Sequence, residues 1–157
     1  MTMQAPYRNI CKIGRTAAGL TQERWAEALE VSVEAVRGYE AGLYMPSDDL
    51  ALRMADIAAM PVLSHWHLLN KSAAARALIP DVKLLGLSMA TVRLLAAMGR
   101  FQAAHRGDRL LEIAADGQID ALEKLDYREI MAELEGITTA ALELKYAKEE
   151  DPDAYHK

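Results

Sequence analysis

The chain has 157 residues, 52% of them apolar and 26% charged, the balance of a soluble globular protein with one ordinary domain or two small ones. No run approaches the roughly 18 consecutive apolar residues of a membrane span, and the opening MTMQAPYRNICK lacks the apolar core of a secretion signal, so a cytoplasmic, membrane-free protein is expected. With 18 Lys and Arg against 23 Asp and Glu the net charge is −5, which excludes polyanion recognition by bulk basicity; a single cysteine, Cys11, excludes an internal disulfide.

In chain order almost every segment reads as helix, giving an all-α fold; no apolar–polar alternation of useful length marks a strand. A first helix is expected over 7–18, with Tyr7, Ile10, Cys11 and Gly14 sharing a helical pattern. Thr21 caps a second over 21–29 that turns Ala26 and Leu29 inward. Val31 turns the chain, and Ser32 caps a third helix over 32–41 that buries Val36 and Tyr39 and stops at Gly42. Pro46 blocks continuation, and Ser47 opens a fourth helix over 48–59 with Asp48 and Asp49 against its positive end. Pro61 closes this block.

Helices two and three form a helix-turn-helix. The order Arg15, Gly19-Leu20-Thr21-Gln22, Ala26, Leu29, Val31-Ser32, Val36, Tyr39-Glu40, Gly42 and Pro46 resembles the Cro and phage-repressor (XRE) family of DNA-binding domains, over about residues 7–60. The resemblance implies a first helix that crosses the phosphate backbone and a second that enters the major groove. It places Gln22 at a phosphate and Ser32, Val33, Glu34 and Arg37 at the DNA-facing start of the reading helix. Arg37 suits a guanine edge or a phosphate, Glu34 a cytosine amino group, and Val33 a thymine methyl. The plainer reading of these exposed positions is a solvated helix face. Arg15 and Glu40 fall where the family places a partly buried ion pair, so they are read as structural. Two residues depart from the pattern: Glu30 stands where the turn usually has glycine, and Trp25 replaces a leucine, its bulk set against the small Gly14, Ala17 and Ala18. Residues 1–60 hold six cations against eight carboxylates, so DNA affinity must come from local placement of charge.

Domains are expected at 1–61 (helix-turn-helix), 62–86 (helical connector LSHWHLLNKSAAARALIP, broken at Pro80), 87–148 (helical C-terminal module for oligomerisation) and 149–157 (acidic, frayed tail). Within the module, helices are read from Ser88 to His105, Asp108 to Ala115, Ile119 to Leu125 and Asp126 to Lys148, with a turn at Asp116-Gly117. The last carries the stripe Ile130, Leu134, Ile137, Ala141 and Leu144, which needs a partner surface. No pocket for a ligand is legible there.

Other constellations read as ordinary structure. Asp116, Gly117, Ile119, Asp120 and Glu123 match half of a calcium loop, but Glu112 and Ala114 fail the other half, leaving a turn between helices. His65 and His67, two apart on a helix, point in different directions and make no metal pair. No phosphate loop or nucleophile elbow occurs, so no enzyme activity, cofactor or metal is expected. The expected function is a sequence-specific DNA-binding transcriptional regulator, a repressor acting as a homodimer on double-stranded DNA, of phage or mobile-element kind by resemblance. The alternatives are a protein-interaction module or an antitoxin that retains the fold, with a protein partner on the C-terminal module.

Overall fold

A computed structural model describes residues 7–149, with nine α-helices, one short 3-10 turn and no strand among the described residues. No helix of these is long and apolar enough to cross a membrane. The chain divides into two compact units, Met1–Asp81 and Val82–Lys157.

The first unit contains α1 (Ile10–Ala17), α2 (Gln22–Leu29), α3 (Val33–Glu40), α4 (Asp48–Ile57), α5 (Val62–Lys71) and α6 (Ala73–Leu78). The side chains of Thr21, Ser32 and Ser47 each accept a hydrogen bond from the backbone N–H three residues on. This satisfies a donor that the helix start leaves unpaired. Asn9 does the same for α1, so that helix starts after Asn9 rather than at Tyr7, which is exposed. The core gathers Ile10, Cys11, Trp25, Leu29, Val36, Met54, Leu63 and Trp66. Burial pushes the Cys11 thiol up to about 11, which keeps it neutral and unreactive at neutral pH.

The segment 62–86, read as a connector, is divided by the unit boundary after Asp81. Six of the ten residues of α5 are buried (Val62, Leu63, His65, Trp66, His67 and Leu69), and the helix packs on α1 and α4. A helix with that much apolar surface has to join a core. Its two histidines face different partners: His65 Nε2 lies 2.8 Å from the Pro80 carbonyl and His67 Nε2 lies 2.9 Å from Asp48 Oδ1. Hydrogen bonds from Lys71 and then His67 hold the Asp48 carboxyl below the ordinary range. The ends of the unit are fastened together. The Arg8 guanidinium forks onto Asp81 at 2.7 and 3.0 Å and lies 4.7 Å from the Trp66 ring centroid, while the Arg8 backbone exchanges two hydrogen bonds with the Asn70 side chain.

Glu30, at the turn between α2 and α3, adopts φ 57° and ψ 41°, the left-handed region. A side chain there costs about 1 kcal/mol, and its contact with Arg53 at 3.3 Å is between exposed groups that return little. Glu30→Gly is therefore expected to stabilise the first unit by about 0.5–1 kcal/mol, read as a higher urea midpoint; an unchanged or lower midpoint would deny strain at this turn.

The second unit contains α7 (Leu87–Ala103), α8 (Arg106–Ile113), the 3-10 turn Ala114–Asp116 and α9 (Lys124–Lys145). Leu87 N–H donates to the Lys148 carbonyl and Lys148 N–H to that of Leu85, both at 2.9 Å, so α7 and α9 run antiparallel. Arg106 reaches Glu133 at 2.8 Å and Arg109 reaches Asp126 at 2.8 Å, tying α8 to the first half of α9. Along the α9 stripe Ile130 is buried, Leu134, Ile137 and Leu144 are half-buried and Ala141 is exposed. The helix read over 119–125 is absent. Asp116 accepts from Gln118 N–H, and Asp120 from Leu122 and Glu123 N–H, so these carboxylates compete successfully with helical pairing. These bonds use one oxygen, Oδ1, of each of the two aspartates of the half calcium loop. Apart from Glu149, the tail 149–157 lies outside the described residues.

Candidate nucleic-acid interface

Helix α3 presents a short outward face. Val36 and Gly38 are buried beneath it, while Glu34 and Arg37 stand out with side chains 81% and 53% exposed and Val33 is half-buried between. Ser32, at the start of this face, is exposed but its hydroxyl already accepts from Ala35 N–H at 3.1 Å, so its role toward DNA would run through the free side of the hydroxyl and the helix start.

Behind that face a hydrogen-bonded cluster fixes the helix. Arg15 Nε and Nη2 donate to Glu40 at 2.5 and 3.2 Å, Arg15 Nη1 donates to the Leu20 carbonyl at 3.0 Å, and Gln22 Nε2 donates to Glu40 Oε2 at 2.8 Å. Arg15 on α1, Gln22 on α2 and Glu40 at the end of α3 thus meet at one carboxylate whose side chain is only 8% exposed. Burial opposes ionisation of Glu40, but the hydrogen bonds from Arg15 and then Gln22 outweigh it and hold the carboxyl below its ordinary range. Gln22 therefore has a second task beside the phosphate contact implied by the resemblance: one amide hydrogen is committed to Glu40, leaving the other for a phosphate.

Arginines on the outward side all have carboxylate neighbours. Arg37 lies 2.8 Å from Glu34 and 3.9 Å from Glu23, Arg24 lies 2.8 Å from Glu27, and Arg53 lies 3.3 Å from Glu30. All are exposed pairs, weak in water and readily exchanged for a phosphate or a base edge.

Two supports were not legible as site residues. Asn9, besides capping α1, donates from Nδ2 to the carbonyls of Tyr39 and Glu40 at 3.1 and 2.9 Å, closing the end of α3. Gly38, in mid-helix, makes room for Tyr44, whose ring packs edge-on to Tyr39 at 5.1 Å. A glycine inside a helical pattern was the available signal, since it costs helix stability unless something approaches it closely. A Cβ at Gly38 would run into the Tyr44 ring. Gly38→Ala is expected to displace the 41–46 loop and cost about 1–3 kcal/mol, measured by urea unfolding; a variant as stable as the parent would show that the loop does not depend on this contact. Gly14 similarly faces Trp25 and Leu63, where an added Cβ would come within 3.2 and 2.9 Å, which explains how Trp25 fits in place of a smaller residue.

Two capped helices joined by a tight turn, with the second held rigidly and its outer face open, define a DNA-binding helix-turn-helix. Residues 12–58 match the family model described as Helix-turn-helix, which is consistent with the resemblance of this segment to Cro and phage-repressor (XRE) domains. No curated protein and no solved structure matches the chain.

Proposed function

We propose that the protein is a sequence-specific transcriptional regulator, a repressor that binds double-stranded DNA as a homodimer. In this reading Val33, Glu34 and Arg37 meet base edges, and Gln22 and the starts of α2 and α3 meet phosphates. The observation that carries it is the rigid seat of α3: Glu40, Arg15, Gln22 and Asn9 fix the helix from behind, while Glu34 and Arg37 remain exposed in front. Preorganisation of this kind lets a helix read bases without ordering side chains or backbone at the moment of binding. One copy contacts few base pairs, and a two-fold dimer doubles them on a palindrome with half-sites roughly 34 Å apart. Selection from a random duplex library tests it: enrichment of a palindrome with that spacing supports the reading, and recovery of no common sequence contradicts it.

A second reading, a protein-interaction module that keeps the fold but has given up DNA, is favoured by one observation. Arg24 on α2, Arg37 on α3 and Arg53 on α4 each face a glutamate, so the outward side of these helices carries little positive charge for phosphates. Co-purification with a small protein, together with failure to bind any duplex, would decide for it.

A further inference from the structure

Between α7 and α9 runs a groove of about 630 Å³ that combines the small residues Ala96, Ala97 and Gly136 with Arg93, Arg100 and Glu133. Its three charged groups differ in how far they are already committed. Glu133 is taken by Arg106 at 2.8 Å, and Arg93 directs Nε to the buried Glu143 at 3.2 Å while its side chain stays 42% exposed. Arg100 is exposed and has no hydrogen-bond or ion-pair partner among the described residues. The two arginines are seven residues apart on α7, two turns, which places them on one face at roughly 10 Å separation. Each guanidinium presents a fork that fits a carboxylate.

We infer that this groove is the seat of the chain's own acidic tail, residues 150–157, with Glu150 paired to Arg93 and Asp153 to Arg100. The inference is independent of the DNA-binding reading. Direction, length and charge select this occupant. Gly86 and Lys148 form a parallel bridge, so the chain leaves Lys148 in the direction that α7 takes from Leu87. At the helical rise Arg93 and Arg100 lie roughly 9 and 20 Å along α7 from Leu87. Pro152 fixes its own φ near polyproline geometry and pushes Asp151 the same way, and in that conformation residues three apart share a face. Glu150 and Asp153 are three apart, and at about 3.1 Å per residue they fall roughly 6 and 16 Å beyond Lys148. The two carboxylates thus match the spacing of the two arginines, whose long side chains cover the remaining offset. Tyr155, two residues further, comes level with Ala104 and covers that end of the groove. Charge agrees: residues 149–157 hold Glu149, Glu150, Asp151 and Asp153 against Lys157, and the end of the unit they leave from exposes Lys83, Lys145 and Lys148. Because the tail is tethered beside the groove, docking is intramolecular, and two ion pairs with one ring suffice.

Nitrogen-15 relaxation of the full-length protein at about 50 mM salt should give the amides of Asp151, Asp153 and Tyr155 order parameters of about 0.8, like those of the helices. Arg100→Glu, which removes no contact among the described residues, should drop them below about 0.6 while α7 and α9 stay ordered. Asp153→Lys, which follows α9 in sequence, should release the tail equally and decides the matter if Arg100→Glu disturbs the helices. Combining Arg100→Glu with Asp153→Arg should restore the order. Tail amides below about 0.6 in the wild type overturn the docking; saturable shifts of the Ala96 and Ala97 amides on added inorganic phosphate would then give the groove to an outside anion. Order that survives both Arg100→Glu and Asp153→Lys seats the tail elsewhere and overturns the groove, as does a loss that the reversed pair fails to restore.

Discussion

Glu40→Ala is expected to cost the first unit about 2–4 kcal/mol, a large part of the stability of a small domain. The loss comes from what remains behind. The Arg15 guanidinium, whose side chain is only 20% exposed, loses both of its carboxylate contacts, and Gln22 loses its acceptor. Glu40→Gln keeps an acceptor but not the charge and should fall between the two. The acid range offers an independent check. Because the folded-state carboxyl lies below its ordinary value of 4.5, its contribution is present above that pH and is lost as pH falls through the lower folded value. The gap between wild type and Glu40→Ala should therefore be widest near neutrality and close as the solution is acidified below about pH 4. Both tryptophans, Trp25 and Trp66, lie in the first unit, so urea unfolding followed by their fluorescence reports on it directly. A constant gap from pH 7 to about 3 would show that the charge of Glu40 is not what matters.

Arg37→Ala is expected to lower preference for the specific duplex about 10–100-fold, the value of one bidentate base contact, with the fold unchanged. Affinity for unrelated duplexes should fall much less. Glu34, 2.8 Å from Arg37, is placed to orient the guanidinium as well as to accept from a base. A double-mutant cycle of Arg37→Ala with Glu34→Gln separates these roles. Strong coupling assigns Glu34 to positioning, while additive effects leave it as an independent reader. Equal specificity in wild type and Arg37→Ala would remove Arg37 from the groove.

Much of the first unit was legible because its signals are local. Thr21, Ser32 and Ser47 cap where their side chains can reach a donor three residues on, and Leu29 and Val36 follow the helical period inward. Arg15 and Glu40 were placed together by resemblance, and they meet in the structure. What escaped were contacts between distant residues. Arg8 with Asp81, Asn9 with the end of α3, and Tyr44 over Gly38 leave no periodic trace, since each is a single polar or steric match made only after the helices pack. Helix α5 resembled a connector because it follows Pro61 and lies beyond the resemblance, yet its buried residues belong to the first core. In the second unit, Asp120 turned the chain where a helix had been expected over 119–125, while the turn at Asp116-Gly117 was legible. The groove between α7 and α9, where Ala96, Ala97, Gly136 and Ala140 stand beside Arg93, Arg100 and Glu133, left no mark in the sequence because it opens only once the two helices stand side by side.

The central claim, that this chain reads DNA sequence, is tested most directly by titrating the full-length protein onto the duplex upstream of its own gene and onto a scrambled duplex, at about 50 and 200 mM salt. The predicted result is a preference for the upstream duplex of at least about 10³-fold, with a shallow salt slope because few cations face the phosphates. Equal affinity for both duplexes, or no binding to either at micromolar concentration in the lower salt, would contradict it.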